Sequence, residues 1–412
     1  MSSTEQTVLI IGAGQAGGQC ALSLRRNGFD GKILMIGDEP HPPYQRPPLS
    51  KAYLSGEIGE DRLWVQTPQA WHEQKVEMRT GLRATAINRE EQIVAFADGS
   101  SHPYDHLVFA TGSRVRTLPV DGSGLNGVRY LRNIADVDSL KSDVQPGRRI
   151  AIIGGGYIGL EAASVASKLG ANAVVIEAMP RLLARVAPEE LSAFYLDAHN
   201  RRGVDVHLDS QVSRLIGVDG RVSAVELSNG NRIECDSVLV GIGVLPNVEL
   251  AAEIGVECDN GILVDESGTS SIPDIYAIGD CCNQHNWLSG TRMRLESVPN
   301  ALEQGKLVAA TICGSPPPKR EVPWFWSDQF DLKLQTAGLL GGADTRIVRR
   351  SDNQDQIAIF HLREGVLIAA DCVNDPQSFM ASKMMIMKEA KPDQADLADT
   401  QIMMKDIMKA AR

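Results

Sequence analysis

The sequence predicts an α/β fold with two parallel-sheet units and a C-terminal α+β domain built on an antiparallel sheet. Three observations predict it. The strand, glycine turn, helix and strand of a βαβ unit occur twice, about 140 residues apart. Each repeat is followed by an apolar run that closes on glycine. Past the proline cluster Pro316 to Pro318 the texture changes to short stretches of alternating polarity.

The first unit reads TVLIIGAGQAGGQCALSLRRNGFDGKILMIGDE from Thr7. The predicted strand Val8 to Ile11 meets a glycine turn, a helix follows over 15–27, and a second strand, Ile33 to Ile36, ends at Asp38. Gly12, Gly14 and Gly17 form a G-x-G-x-x-G fingerprint. In that order the glycines make the turn, let the backbone approach a pyrophosphate and allow close helix packing, while the helix N-terminus offers N–H donors to the anion. Asp38, at the strand end, is placed to accept hydrogen bonds from a ribose.

The second unit reads RIAIIGGGYIGLEAASVASKLGANAVVIEAMP from Arg149, with strand Ile150 to Ile153, helix over 157–169 and strand Ala173 to Ile176. Gly154, Gly156 and Gly159 repeat the fingerprint, and Glu177 takes the place of Asp38. A carboxylate there accepts from a ribose 2′-hydroxyl but repels a 2′-phosphate, at a cost of about 4 kcal/mol per unit-charge pair at about 4 Å and an effective dielectric of about 20. NADH is therefore expected over NADPH. Arg181 and Arg185 follow closely, and solvated turn residues are their plainer reading.

These are two Rossmann-like dinucleotide-binding domains. The apolar runs LVFATGSR (Leu107 to Arg114) and VLVGIGVLPN (Val238 to Asn247) mark the crossings between them. A third block, TSSIPDIYAIGDCC, closes on Gly279 and Asp280. The expected organisation is 1–112 with 244–323 as a discontinuous first domain, 113–243 as the second, and 324–412 as the C-terminal domain. There the alternating stretches are Lys333 to Leu339, Arg346 to Arg350, Gln356 to Leu362 and Val366 to Val373, ahead of a methionine-rich helical tail.

Composition narrows the function. With 412 residues, 43% hydrophobic and 23% charged, the chain buries sizeable cores. A net charge of −11 disfavours nucleic acid and anionic membrane surfaces as partners. The seven cysteines show no C-x-x-C or zinc spacing, so neither a disulfide framework nor a metal site is expected. Met1 to Gln6 lacks signal-peptide character and no apolar run reaches the ~20 residues of a membrane span, so a cytoplasmic protein is expected.

Motifs along nearly the whole chain carry a resemblance: GAGQAG, YQRPPLSKAYL (Tyr44 to Leu54), ATG (Ala110 to Gly112), YLR (Tyr130 to Arg132), GGGYIGLE, GIGVLPN, YAIGDC, ESVPNALEQ (Glu296 to Gln304) and PWFWSDQ (Pro323 to Gln329). The sequence resembles the oxygenase-coupled ferredoxin reductases of the glutathione reductase structural class. That resemblance implies FAD in the first fold, held at Gly12, Gly14, Ala16, Gly17 and Asp38, with Asp280 on the ribityl chain, Ala84 at the adenine, and Arg46 and Arg132 nearby. It implies NADH in the second, held by Gly154, Gly156, Ile158, Gly159, Glu177 and Gly243. Lys51 would face the flavin and pair with Glu161, Glu296 would lie near the nicotinamide, Trp326 against the isoalloxazine, and Val298 at a helix N-terminus aimed at the flavin pyrimidine. Trp324 reads as core.

The branch follows from cysteine. Disulfide reductases of this class keep a cysteine pair beside the flavin and the peroxidases a single cysteine near positions 46 to 51; here that stretch reads RPPLSK, without a thiol. Cys281 and Cys282 read as buried small residues. The expected activity is NADH-dependent reduction of a 2Fe-2S ferredoxin serving an oxygenase or cytochrome P450, in a monomer or weak dimer. Rubredoxin or a small quinone is an alternative acceptor. A flavin-bearing interaction protein resembling apoptosis-inducing factor is a third reading, but a basic surface or long insertion, expected for it, is missing. Residues 376–412 carry a net +1 against −12 for the rest, so the tail, with Lys383, Lys388 and Met380, Met384, Met385 and Met387, is the expected docking region for an acidic ferredoxin.

Overall fold

A computed structural model describes residues 6–411; most of the N-terminal stretch read for targeting, and Arg412 of the tail, lie outside them. The chain forms two compact units. The first comprises Met1–Gln45, Glu60–Arg114 and Leu245–Pro323, and the second Arg46–Gly59, Val115–Val244 and Trp324–Arg412.

In the first unit five parallel strands run in the order Ile275–Ala277, His106–Phe109, Thr7–Ile11, Lys32–Ile36 and Val76–Arg79. Their apolar runs are continuous because both faces are covered. Val8, Ile10, Ile33 and Met35 pack with Ala16, Cys20 and Leu24 of helix Gln15–Arg26 and Val308 and Ala309 of helix Val298–Ile312. Leu9, Ile11, Leu34 and Ile36 enter a second core with Val94, Phe96 and Ile262. The apolar pattern of the sequence puts the body of the second of those helices at 300–313, with Val298 at its start. The helix starts at Val298, because Pro299 fits a first turn and Ser297 caps it, its Oγ accepting from Asn300 N at 3.3 Å.

The second unit repeats the arrangement, with parallel strands Asp205–His207, Asn172–Ile176, Arg149–Ile153, Ser237–Val240 and Val128–Arg129 in that order. A three-stranded antiparallel sheet, Val212–Val218, Arg221–Leu227 and Arg232–Glu234, packs Val222, Val225 and Leu227 against Ile153 and Ile176. The C-terminal part is an antiparallel sheet ordered Trp324–Gln329, Leu332–Gly338, Val366–Val373, Ile357–Arg363 and Thr345–Arg349. Its first strand was legible only as a motif, since two tryptophans and a phenylalanine in a row hide the alternation. The tail is three helices, Pro376–Met387, Gln394–Ala398 and Met404–Ala410. Met380, Met384 and Met387 are exposed on one face of the first, whereas Met385, one residue off that spacing, is buried in its own domain.

Candidate dinucleotide and redox site

The first fingerprint of the first unit is closed toward the protein and open at one point. Gly12 has φ +118° and a Cβ there would lie 2.1 Å from the Ala110 carbonyl; a Cβ on Gly17 would lie 2.1 Å from that of Gly12. At Gly14 a Cβ would meet nothing. Helix Gln15–Arg26 starts from Gly14 with no side-chain cap, so its first N–H groups are available to an anion. Asp38 stands exposed beyond strand Lys32–Ile36 with no side-chain partner among the described residues. This arrangement fits a dinucleotide pyrophosphate over Gly14 with its ribose toward Asp38.

Other predicted residues of this unit take defined places. Ser113 Oγ donates to Asp280 Oδ2 at 2.9 Å. Gly279 N donates to Gln304 Oε1 at 2.7 Å, which ties the glycine-aspartate turn to helix Val298–Ile312. Val298 is the first residue of that helix, Ala84 is buried at the start of strand Ala84–Asn88, and Ala16 is buried in the first helix. Glu296 is exposed and ion-paired with Arg294.

The second unit has the same construction. Gly154 has φ +110° with its Cβ direction 2.4 Å from the Gly241 carbonyl, Gly159 is closed by Gly154 at 2.2 Å, and Gly156 faces open space. Ile158, on the first helical turn, is 40% exposed. Glu177 is held by main-chain donors: Gly155 N to Oε2 at 2.6 Å and Met179 N to Oε1 at 2.8 Å. Arg181 is structural, donating to the carbonyls of Ala184 and Ala187 and to Ser192 Oγ. Arg185 is exposed beside Gly243, whose carbonyl accepts from Arg116 N at 2.9 Å. A dinucleotide fits here over Gly156, with its ribose at Glu177.

Also in this unit, Arg46 Nη1 donates to the Arg132 carbonyl at 2.7 Å. Pro47–Ser50 forms a 3-10 turn that delivers Lys51 to helix Tyr157–Lys168. Lys51 Nζ lies 2.7 Å from Glu161 Oε2 and donates to the Pro47 carbonyl at 3.2 Å. Glu161 is only 4% exposed, and an isolated carboxylate at that depth would be costly. It also accepts from Ser50 Oγ at 2.5 Å and Ser327 Oγ at 2.6 Å. Trp326, next to Ser327, is half-buried with its ring centroid 5.5 Å from that of Trp324, which in turn packs on Phe379. The sequence pointed to Lys51 and Glu161 but not to the serines. Their signal was membership of the RPPLSK and PWFWSDQ motifs; for His199, behind them, nothing in the sequence marked a role.

All seven cysteines are free. Burial pushes the Cys20 and Cys235 thiols up to about 12 and the Cys282 thiol well above its ordinary value. None of these is a thiolate nucleophile at neutral pH. Among the described residues no helix is long and apolar enough to cross a membrane.

Residues 6–305 match the pyridine nucleotide-disulphide oxidoreductase family and residues 324–408 the reductase C-terminal family. A ferredoxin–NAD(P)(+) reductase of Sphingomonas is 42% identical over 99% of both chains. The chain belongs to the flavin-dependent ferredoxin reductases of the first family. The reductase is thus an FAD-dependent enzyme that uses NAD(P)H. Its fold is similar to that of putidaredoxin reductase in the crystal structure of its covalent complex with putidaredoxin, with a TM-score of 0.96 and 40% identity over 98% of this chain and 99% of that one. It is likewise similar to the ferredoxin reductase for the CYP199A2 system of Rhodopseudomonas palustris, with a TM-score of 0.94 and 39% identity over 99% of this chain and all of the other.

Proposed function

We propose that the reductase takes electrons from NADH, in preference to NADPH, and delivers them singly to a 2Fe-2S ferredoxin that serves an oxygenase or a cytochrome P450. It acts in the cytoplasm as a monomer or weak dimer. FAD, when bound, supplies the two-electron to one-electron exchange between nicotinamide and iron-sulfur centre. The observation that carries this reading is the ion pair at Lys51: the stretch 46–51 carries no thiol and ends in an ammonium held at 2.7 Å from Glu161.

The residues have the following work. Gly12, Gly14, Ala16 and Gly17 shape the FAD pyrophosphate cradle, Asp38 accepts from its ribose and Asp280 from its ribityl chain. Ala84 contacts the adenine, and Arg46 and Arg132 lie near the same cofactor. The ammonium of Lys51 stabilises negative charge toward the flavin, as do the N–H groups that open at Val298. Trp326 covers the isoalloxazine and Glu296 orients the nicotinamide. Gly154, Gly156, Ile158, Gly159 and Gly243 seat NADH, and Glu177 takes its adenine ribose. We keep the boundaries 1–112 with 244–323, 113–243 and 324–412 as the FAD, NADH and C-terminal domains.

Cytochrome c reduction tests the reading. With NADH as donor, rapid reduction that requires an added 2Fe-2S ferredoxin is expected. Equally fast turnover without ferredoxin would overturn it in favour of a quinone-type acceptor. A long-lived reduced state accompanied by a change of oligomeric state would favour an interaction protein.

A further inference from the structure

Behind the Lys51–Glu161 pair lies a line of side chains that motif and family leave without a role. Ser327 Oγ is 2.6 Å from Glu161 Oε1, Gln329 Nε2 is 3.3 Å from Ser327 Oγ, and His199 Nε2 is 2.8 Å from Gln329 Oε1. Ser327, Gln329 and His199 are all fully buried. The direction of donation is set by the carboxylate end. An ionised Glu161 only accepts, so the Ser327 hydroxyl donates to it; that hydroxyl then accepts from the Gln329 amide, whose oxygen must accept from His199. His199 is therefore the Nε2–H tautomer, and burial, which lowers its pKa to about 4, keeps it neutral. Every donor along the line points at Glu161, and hydrogen bonds aligned in this way polarise one another.

We propose that Ser327, backed by Gln329 and His199, is the positioning residue that holds the Glu161 carboxylate, and through it the Lys51 ammonium, in its working place. Ser327 and Gln329 point to the same face of strand Trp324–Gln329, while Trp326, the residue before Ser327, points to the other with Asp328. Their bonds therefore also pin the register that presents Trp326, since a slip of one residue would exchange the two faces. The remaining polar groups around Glu161 do not substitute for Ser327. Ser50 and Lys51 both engage Oε2, leaving Oε1 to Ser327. The hydroxyls of Tyr157 and Tyr195 are buried without hydrogen-bond partners, and burial with the nearby charges of Glu161 and Asp371 holds both phenols neutral.

This inference rests on the assignment of Lys51 to the flavin, and the test separates the two. Full-length Ser327→Ala, Ser327→Thr, Glu161→Gln, Ser327→Ala with Glu161→Gln, and Lys51→Met are compared. Thermal unfolding of the flavin-free chains should show Ser327→Ala lowering Tm by about 2–4 °C in the native background and by less than half of that with Glu161→Gln present, because the interaction partner is already altered. Single-turnover flavin reduction by NADH should slow about tenfold in Ser327→Ala with an unchanged half-saturating NADH concentration, and Ser327→Thr should restore both properties. Equal Tm losses in the two backgrounds, or an unchanged rate in Ser327→Ala beside a slow Lys51→Met, would overturn the positioning role alone. An unchanged rate in Lys51→Met would overturn the assignment of Lys51 and the inference with it.

Discussion

Lys51 has 17% side-chain exposure and Glu161 6%, so each charge is tolerated because the other is present. Removing one partner leaves the other buried and uncompensated, which costs on the order of 3–5 kcal/mol in such pairs. Lys51→Ala should therefore lower Tm by several degrees and slow flavin reduction by NADH at least about tenfold in a stopped-flow measurement, whereas Glu161→Gln should be milder because the isosteric amide keeps the packing and one acceptor oxygen for the surrounding donors. Glu177 works differently, since its carboxylate already closes the turn through Gly155 N and Met179 N. Glu177→Ala should reduce the ratio of kcat/KM for NADH over NADPH about tenfold, and the lost turn contacts should also raise KM for NADH. A ratio equal to that of the native chain would place the ribose elsewhere.

At the scale of elements, glycines with different surroundings give opposite expectations. Gly14 has φ −97°, an ordinary backbone conformation, and open space where a Cβ would stand. Gly14→Ala should leave the Tm of the flavin-free chain unchanged while flavin content and affinity fall, because that open space is where we propose the FAD pyrophosphate sits. Gly17→Ala would drive its Cβ to 2.1 Å from the Gly12 carbonyl and should lower Tm with or without flavin. Helix Glu189–Arg201 supplies a pH-dependent term through His199. Its pKa of about 4, against 6.5 for an ordinary imidazole, means that between those values the unfolded chain binds a proton the folded chain does not. Stability then falls as pH drops from about 6.5 toward about 4, by about 3 kcal/mol at most. Urea unfolding of His199→Leu across that range should show a flatter acid limb than the native chain.

At the scale of the whole molecule the charge is unevenly spread, with −11 overall and a slight positive balance in residues 376–412. Lys388 is exposed, and Lys383 stands 5.5 Å over the Trp324 ring, near the three exposed methionines of helix Pro376–Met387. Charge reversal at both lysines should lower ferredoxin-dependent turnover and flatten its dependence on ionic strength, while direct reduction of ferricyanide by NADH stays unchanged. The two βαβ units, their fingerprints and their terminal acids were legible in the sequence by itself. Each depends on contacts within about thirty residues, where apolar periodicity and a glycine's lack of Cβ dictate the local path. Sequence also excluded a thiol from positions 46 to 51, because that is a matter of residue type alone. Only the tertiary structure decided that Met385 turns inward while Met384 and Met387 stay exposed, that Arg181 is spent on carbonyls, and that Ser50 and Ser327, far apart in the chain, meet on one carboxylate. A hydroxyl carries no hydrophobic periodicity and no fixed spacing to its partner. Its role exists only once distant elements pack and a buried charge requires a donor.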